Sequence, residues 1–189
     1  MTRFLTPFLL LVCLLLGACT APPPGGPQPP ASGEIAALAA SLRALGPGVD
    51  PEEAERAARV SFLYPLALAR SYNITDSPYV HNVKVNNGQR ARGLCWHWAE
   101  DMELRLRQES FRTLTVHRAI AQSFPGFEHS TSVISRRGDP MQRGIVVDPW
   151  RAGGRLFWSP VLRDDYVWRP RMEVLAEKWL KRQGGAPAP

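Results

Sequence analysis

Apolar positions recur along this chain with one period in its first half and another in its second. Residues 34–45 carry apolar side chains at helical spacing and stop before Gly46. Asp50-Pro51-Glu52-Glu53 reads as a helix start: an N-cap, proline at the first helical position, and acids against the positive end of the helix dipole. That helix is predicted to run to Ser71. Residues 79–85, YVHNVKV, are short and rich in β-branched side chains and read as a strand; the polar, glycine-containing loop NNGQRARG follows. A second strong helix is predicted from Leu94 to Glu109. Cys95, Trp98, Ala99, Met102 and Leu106 form one apolar stripe there, while Glu100, Glu103, Arg107 and Gln108 lie elsewhere on the helix. The period then drops to two. Residues 113–121, 128–135, 144–148 and 155–161 read as strands, and RMEVLAEKWLKRQ as a final helix after Pro170. Helices followed by a run of antiparallel strands specify an α+β domain.

The ends of the chain carry different signals. Arg3 precedes an apolar run from Phe4 to Leu16, too short to span a bilayer but suited to the core of a secretory signal. It ends in Leu16-Gly17-Ala18-Cys19, which resembles the bacterial lipobox. The resemblance implies residues 1–18 as a signal peptide and Cys19 as a diacylated first mature residue, anchoring the protein without a spanning helix. Thr20, where an aspartate would commonly retain a lipoprotein at the inner membrane, implies the outer membrane and its periplasmic face. Residues 20–33, TAPPPGGPQPPASG, hold six of the chain's 18 prolines. Such a stretch favours extended polyproline II, so residues 19–33 are expected to form a semi-rigid spacer. The folded domain is expected over 34–183, with 184–189 as a tail.

Three cysteines narrow the chemistry. Cys13 and Cys19 lie in the N-terminal segment, leaving Cys95 alone in the domain. A disulfide within the domain and a zinc site of several cysteines are both excluded. Cys95 falls at the start of a helix, where backbone amides and the dipole favour a thiolate.

A partner for it comes from the turn Arg136-Arg137-Gly138-Asp139-Pro140. If the hairpin centre lies between Gly138 and Asp139, His129 and Asp148 stand directly opposite each other, with Cβ atoms about 5 Å apart on one face of the sheet. A carboxylate there would orient the imidazole, freeing the other ring nitrogen to act as a base toward a nucleophile. The other histidines fit this role less well. His97 is two residues past Cys95, about 200° around the helix; His117 sits mid-strand without an obvious carboxylate, and His81 precedes the loop. Among the acids, Asp139 reads as a turn residue, and Asp164-Asp165 as a pair that caps or closes a loop.

GLCWHWAEDM, EHSTSVIS and GIVVDPWR, in that order, resemble the three core motifs of transglutaminase-like, papain-fold cysteine enzymes, over roughly residues 88–160. The resemblance implies a papain-like fold, with N-terminal helices presenting the nucleophile against an antiparallel sheet. It implies Cys95 as nucleophile, His129 as base and Asp148 as orienting acid. The chain is nearer to compact bacterial members than to eukaryotic transglutaminases, whose β-sandwich domains it lacks. Acyl chemistry also needs oxyanion donors. The backbone amide of Cys95 or Trp96 is one; Gln89, six residues before Cys95, is a candidate for the second, with Asn87 as its rival. Trp150 is placed to shield the triad, and Arg151 and Arg155 read as solvated surface or as contacts to an acidic substrate.

Charge alters this picture little. The net charge is +6, and arginine supplies 20 of the 23 basic residues. No basic run with interleaved aromatics points to nucleic acid. No His/Asp cluster at ligand spacing points to a metal, and no motif points to a cofactor. Residues 134–182 hold 11 basic and six acidic residues, a surplus that suits an acidic substrate. The expectation is thus a lipid-anchored thiol enzyme acting on amides of a protein or of peptidoglycan. The alternative is a non-catalytic binding or scaffold module of the envelope with the same fold.

Overall fold

The structure, a computed structural model, describes residues 26–124 and 127–184. The signal segment, Cys19, the start of the spacer and residues 185–189 lie outside the described residues. Helix α1 (Glu34–Arg43) packs against the long α2 (Pro51–Ser71). Then come α3 (Pro78–Asn86), α4 (Cys95–Gln108), β1 (Leu114–Phe124), β2 (Phe127–Arg136), β3 (Ile145–Ala152), β4 (Arg155–Pro160), the two-residue β5 (Arg169–Pro170) and α5 (Arg171–Arg182). The five strands form one antiparallel sheet in the order β4-β3-β2-β1-β5. The architecture is α+β. No helix among the described residues is long and apolar enough to cross a membrane.

The start of α2 follows from its residues. Asp50 accepts hydrogen bonds from the amides of Glu52 and Glu53 at 2.9 and 3.0 Å, and Pro51 takes the first helical position. Glu53 is itself buried. Its carboxylate accepts from the amides of Arg112 and Thr113 (2.7 and 2.8 Å) and from the Thr113 hydroxyl (2.6 Å), tying α2 to the entry of β1.

The main core lies between α1, α2 and α4 and one face of the sheet. Leu38, Leu42, Met102, Leu106, Leu114 and Ile134 are all essentially inaccessible there. Each such side chain contributes about 1.5–3 kcal/mol of burial free energy. A smaller cluster of Ala119, Val133, Val146, Val161 and Trp168 covers part of the other face, so β2 is buried along most of its length. The stripe predicted for α4 is the face it buries, from Cys95 to Leu106. At the outer edge of the sheet, β5 pairs with β1 at Ala119 and Ile120 only, and Arg107 donates to the Val116 carbonyl at 3.2 Å.

Residues 79–85 are helical, not a strand. Pro78 at the first turn fixes φ for a helix, and tertiary contacts override the β-branched valines: His81 is buried, and Asn82 accepts a 3.2 Å hydrogen bond from Trp150 Nε1. The hairpin register also differs. Ser132 pairs with Val147, Val133 with Val146 and Ile134 with Ile145, which moves the centre one residue on, to between Asp139 and Pro140. The 3₁₀ turn Met141–Arg143, with Met141 buried, supplies the extra length before β3. Asp139 is indeed a turn residue, bonded to Arg136 at 2.8 and 3.0 Å.

Candidate active site

Moving the hairpin centre by one residue moves each pairing by two, so side chains keep their face. His129 and Asp148 therefore lie diagonally across β2 and β3 rather than directly opposite, still within reach of a long side chain. His129 Nε2 donates to Asp148 Oδ2 at 2.5 Å, with both side chains essentially fully buried. The other ring nitrogen, Nδ1, is buried without a hydrogen-bond partner among the described residues.

Cys95 is the first residue of α4 and is 9% exposed. Its Sγ donates to the carbonyl of Glu128, the residue before His129, at 3.6 Å. Three contacts hold this helix start against the sheet. The Ser132 hydroxyl donates to Ala99 O at 3.0 Å, and Arg118 donates to Trp96 O at 2.8 Å while pairing with Glu103 at 3.3 Å. Before the helix, Gly93 has φ +126°, and a Cβ there would lie 2.3 Å from His81 Nε2. Only glycine fits this turn beside the buried imidazole. His97 folds back rather than projecting outward. Its Nδ1 accepts from the amides of Gly93 and Leu94, both at 3.1 Å, and so stands in for an N-cap side chain. His117 bonds Ser135 Oγ at 2.7 Å and His81 the carbonyl of Arg92 at 2.9 Å, both away from the thiol's partner.

The electrostatics favour a charged imidazole. Burial pushes the His129 pKa down, but the Asp148 carboxylate and, to a lesser degree, Cys95 outweigh it and raise it to about 9. Burial works against the charge on Asp148 too, yet His129 and Arg151 hold its pKa below the usual carboxylate range. An aromatic enclosure keeps water from the pair: the rings of Trp150, Tyr166 and Trp168 lie 4.7, 4.9 and 5.4 Å from the imidazole. Tyr79 stands edge-on to Trp150 at 5.3 Å and remains 60% exposed, so α3 forms an outer wall.

The candidate oxyanion groups are divided. Cys95 and Trp96 occupy the first two positions of α4, whose N–H groups have no intrahelical acceptor. Gln89 instead lines a surface cavity with Tyr72, Arg92 and Asp101, and among the described residues no hydrogen bond joins its side chain to the thiol. Arg151 is not solvated surface. It is mostly buried, with Nε donating to Asp148 Oδ2 at 2.8 Å and Nη2 to both oxygens of Asp164 at 2.8 and 2.7 Å. Arg155 is exposed and pairs with Glu34 at 3.1 Å. The proximity of Arg151 to Asp148 is foreshadowed only by its position three residues on; the DPWR spacing does not reveal the contact with Asp164.

No known protein family, curated protein or solved structure matches this chain. A thiol at a helix start, a buried imidazole with one nitrogen committed to a carboxylate and the other without a hydrogen-bond partner among the described residues, and two amides without intrahelical acceptors make a set able to perform nucleophilic acyl transfer.

Proposed function

We propose that this protein is a cysteine-dependent acyl-transfer enzyme that acts on amide bonds through Cys95, His129 and Asp148. The observation that carries this is the buried 2.5 Å His129–Asp148 hydrogen bond beside Cys95, with no hydrogen-bond partner for Nδ1 among the described residues. In the proposed reaction, the Cys95 proton already resides on His129 Nδ1 before substrate binds, in keeping with the raised imidazole pKa, and the sulfur attacks the amide carbonyl carbon. The tetrahedral oxyanion forms against the Cys95 and Trp96 amides. It collapses as the C–N bond breaks, and the imidazolium hands its proton to the departing amine. The thioester then passes its acyl group to water, as in a protease or amidase, or to a second amine, as in a transglutaminase. Asp148 holds the ring and stabilises its positive form throughout.

The order of the three motifs, the nucleophile at a helix start and the base and acid on neighbouring antiparallel strands support placing the chain with transglutaminase-like, papain-fold enzymes. The lipobox and proline-rich spacer support a lipid-anchored protein at the periplasmic face of the outer membrane, with protein or peptidoglycan as substrate. Loss of palmitate label in Cys19→Ala is expected; label that survives would overturn the anchor.

The test of the chemistry is thiol capture with iodoacetamide. Cys95 is expected to alkylate at neutral pH at least about tenfold faster than in His129→Ala, given the usual acceleration of thiols by a neighbouring imidazolium. Equal rates, with both proteins folded, would favour a non-catalytic module instead.

A further inference from the structure

Asp148 does not serve His129 alone. The oxygen that accepts from His129 Nε2 at 2.5 Å also accepts from Arg151 Nε at 2.8 Å. The other oxygen accepts from the Trp150 amide at 3.1 Å. Arg151 is fixed from the far side by its fork to Asp164, whose side chain is wholly inaccessible. Asp164 in turn accepts from the Tyr166 amide at 3.0 Å, which shapes the loop leading to β5. The guanidinium lies between rings, 4.1 Å from the centre of Phe157, 4.6 Å from Tyr166 and 5.8 Å from Trp168. Tyr166 and Trp168 also pack on the imidazole. The cation and the imidazole thus share walls and a carboxylate oxygen.

We propose that Arg151 is a positioning residue, held by Asp164, that fixes Asp148 for His129 and sets how much of the carboxylate's charge the imidazole receives. The proposal rests on reading His129 as the base of a thiol enzyme. Two buried carboxylates, Asp148 and Asp164, face one guanidinium, which leaves one negative charge for the imidazolium to balance. Removing the guanidinium leaves both carboxylates to the imidazole. Removing the charge of Asp164 leaves the guanidinium to Asp148 and takes charge from the imidazole. A residue that merely filled space would not produce effects of opposite sign. The other groups near His129 are Cys95 on α4, the phenol of Tyr166, and Glu128 on β2, which is paired with Lys178 of α5. The two substitutions leave all of these in place.

The experiment is an NMR titration of the His129 ring in the full chain, comparing wild type, Arg151→Met and Asp164→Asn. Asparagine keeps an acceptor for the Tyr166 amide and so preserves the loop. The imidazole midpoint is expected to rise by about one pH unit in Arg151→Met and to fall by about one in Asp164→Asn, the usual scale for a neighbouring charge. Arg151→Lys, which keeps the charge without the fork, is expected to fall between wild type and Arg151→Met. Shifts of the same sign, or no shift in either variant, would overturn the proposal. If Arg151→Met does not fold, Asp164→Asn decides: a fall supports the proposal, and no change or a rise overturns it. Iodoacetamide capture on the same samples reads the enzyme claim separately. A wild-type rate unaffected by His129→Ala would remove the catalytic reading and leave the titration result intact.

Discussion

Raising the pH from 6 to 10 should destabilise this domain through one residue. His129 has a folded-state pKa of about 9, against 6.5 for the ordinary imidazole. The imidazolium is therefore preferred by the native state. Its stabilisation is fully present below pH 6.5, declines as pH rises and is gone once pH passes about 9. A gap of this size, at about 1.36 kcal/mol per pH unit, corresponds to about 3 kcal/mol. With a urea m-value of about 2 kcal/mol/M, the unfolding midpoint should fall by about 1.5 M across that window. Urea melts at half-unit intervals of pH, followed by tryptophan fluorescence, measure it. His129→Gln removes the titrating group, so the difference between the two curves isolates its share from that of other groups titrating near pH 10. A wild-type midpoint that is flat between pH 6.5 and 9, or a slope shared by His129→Gln, would refute the coupling of His129 to Asp148.

The acid limb has the opposite sign. Asp148 has a lowered folded-state pKa, so its contribution is present above the ordinary value of 3.8 and is lost as pH falls through the folded value; Asp148→Asn should flatten this limb in the same urea series. Gly93→Ala should cost about 2 kcal/mol or more, because strain at φ +126° adds to a clash with His81; Gly88→Ala, at φ +74° with no atom within 4 Å, should cost about 1 kcal/mol, and equal costs by thermal melts would refute the close-approach argument. Glu53→Gln should cost about 1–3 kcal/mol by urea denaturation, because an amide NH₂ would face donors at Arg112 and Thr113; a neutral result would show that water or a local shift replaces those bonds.

What the sequence reveals follows the range of each interaction. The start of α2 is set by Asp50 and Pro51 within one turn, and the buried stripe of α4 by spacing alone, so both are legible from local pattern. The segment at 79–85 is not, because its helix depends on a seat for His81 and a hydrogen bond to Trp150, 68 residues away from Asn82. His129 and Asp148 could be paired from turn chemistry because alternation protects the face even when the register moves by two. The length of the turn itself depended on burying Met141, which no local rule announces. The role of Arg151 is not legible in the sequence for the same reason as that of α3. A lone arginine looks solvated until the fold brings Asp164 and three aromatic rings around it.

The abbreviated β5 governs how this sheet meets other molecules. β1 is 11 residues long, and an unpaired strand of that length is a template onto which another chain can add a strand. Here the template is interrupted midway. Pro170 faces Ala119 and carries no N–H with which to extend the ladder, while the side chain of Arg107 occupies the Val116 carbonyl. An incoming strand would have to displace a guanidinium at one point and tolerate a missing donor at another. The outer edge is thereby guarded against edge-to-edge aggregation without a full-length covering strand, at the cost of a two-residue pairing and one arginine.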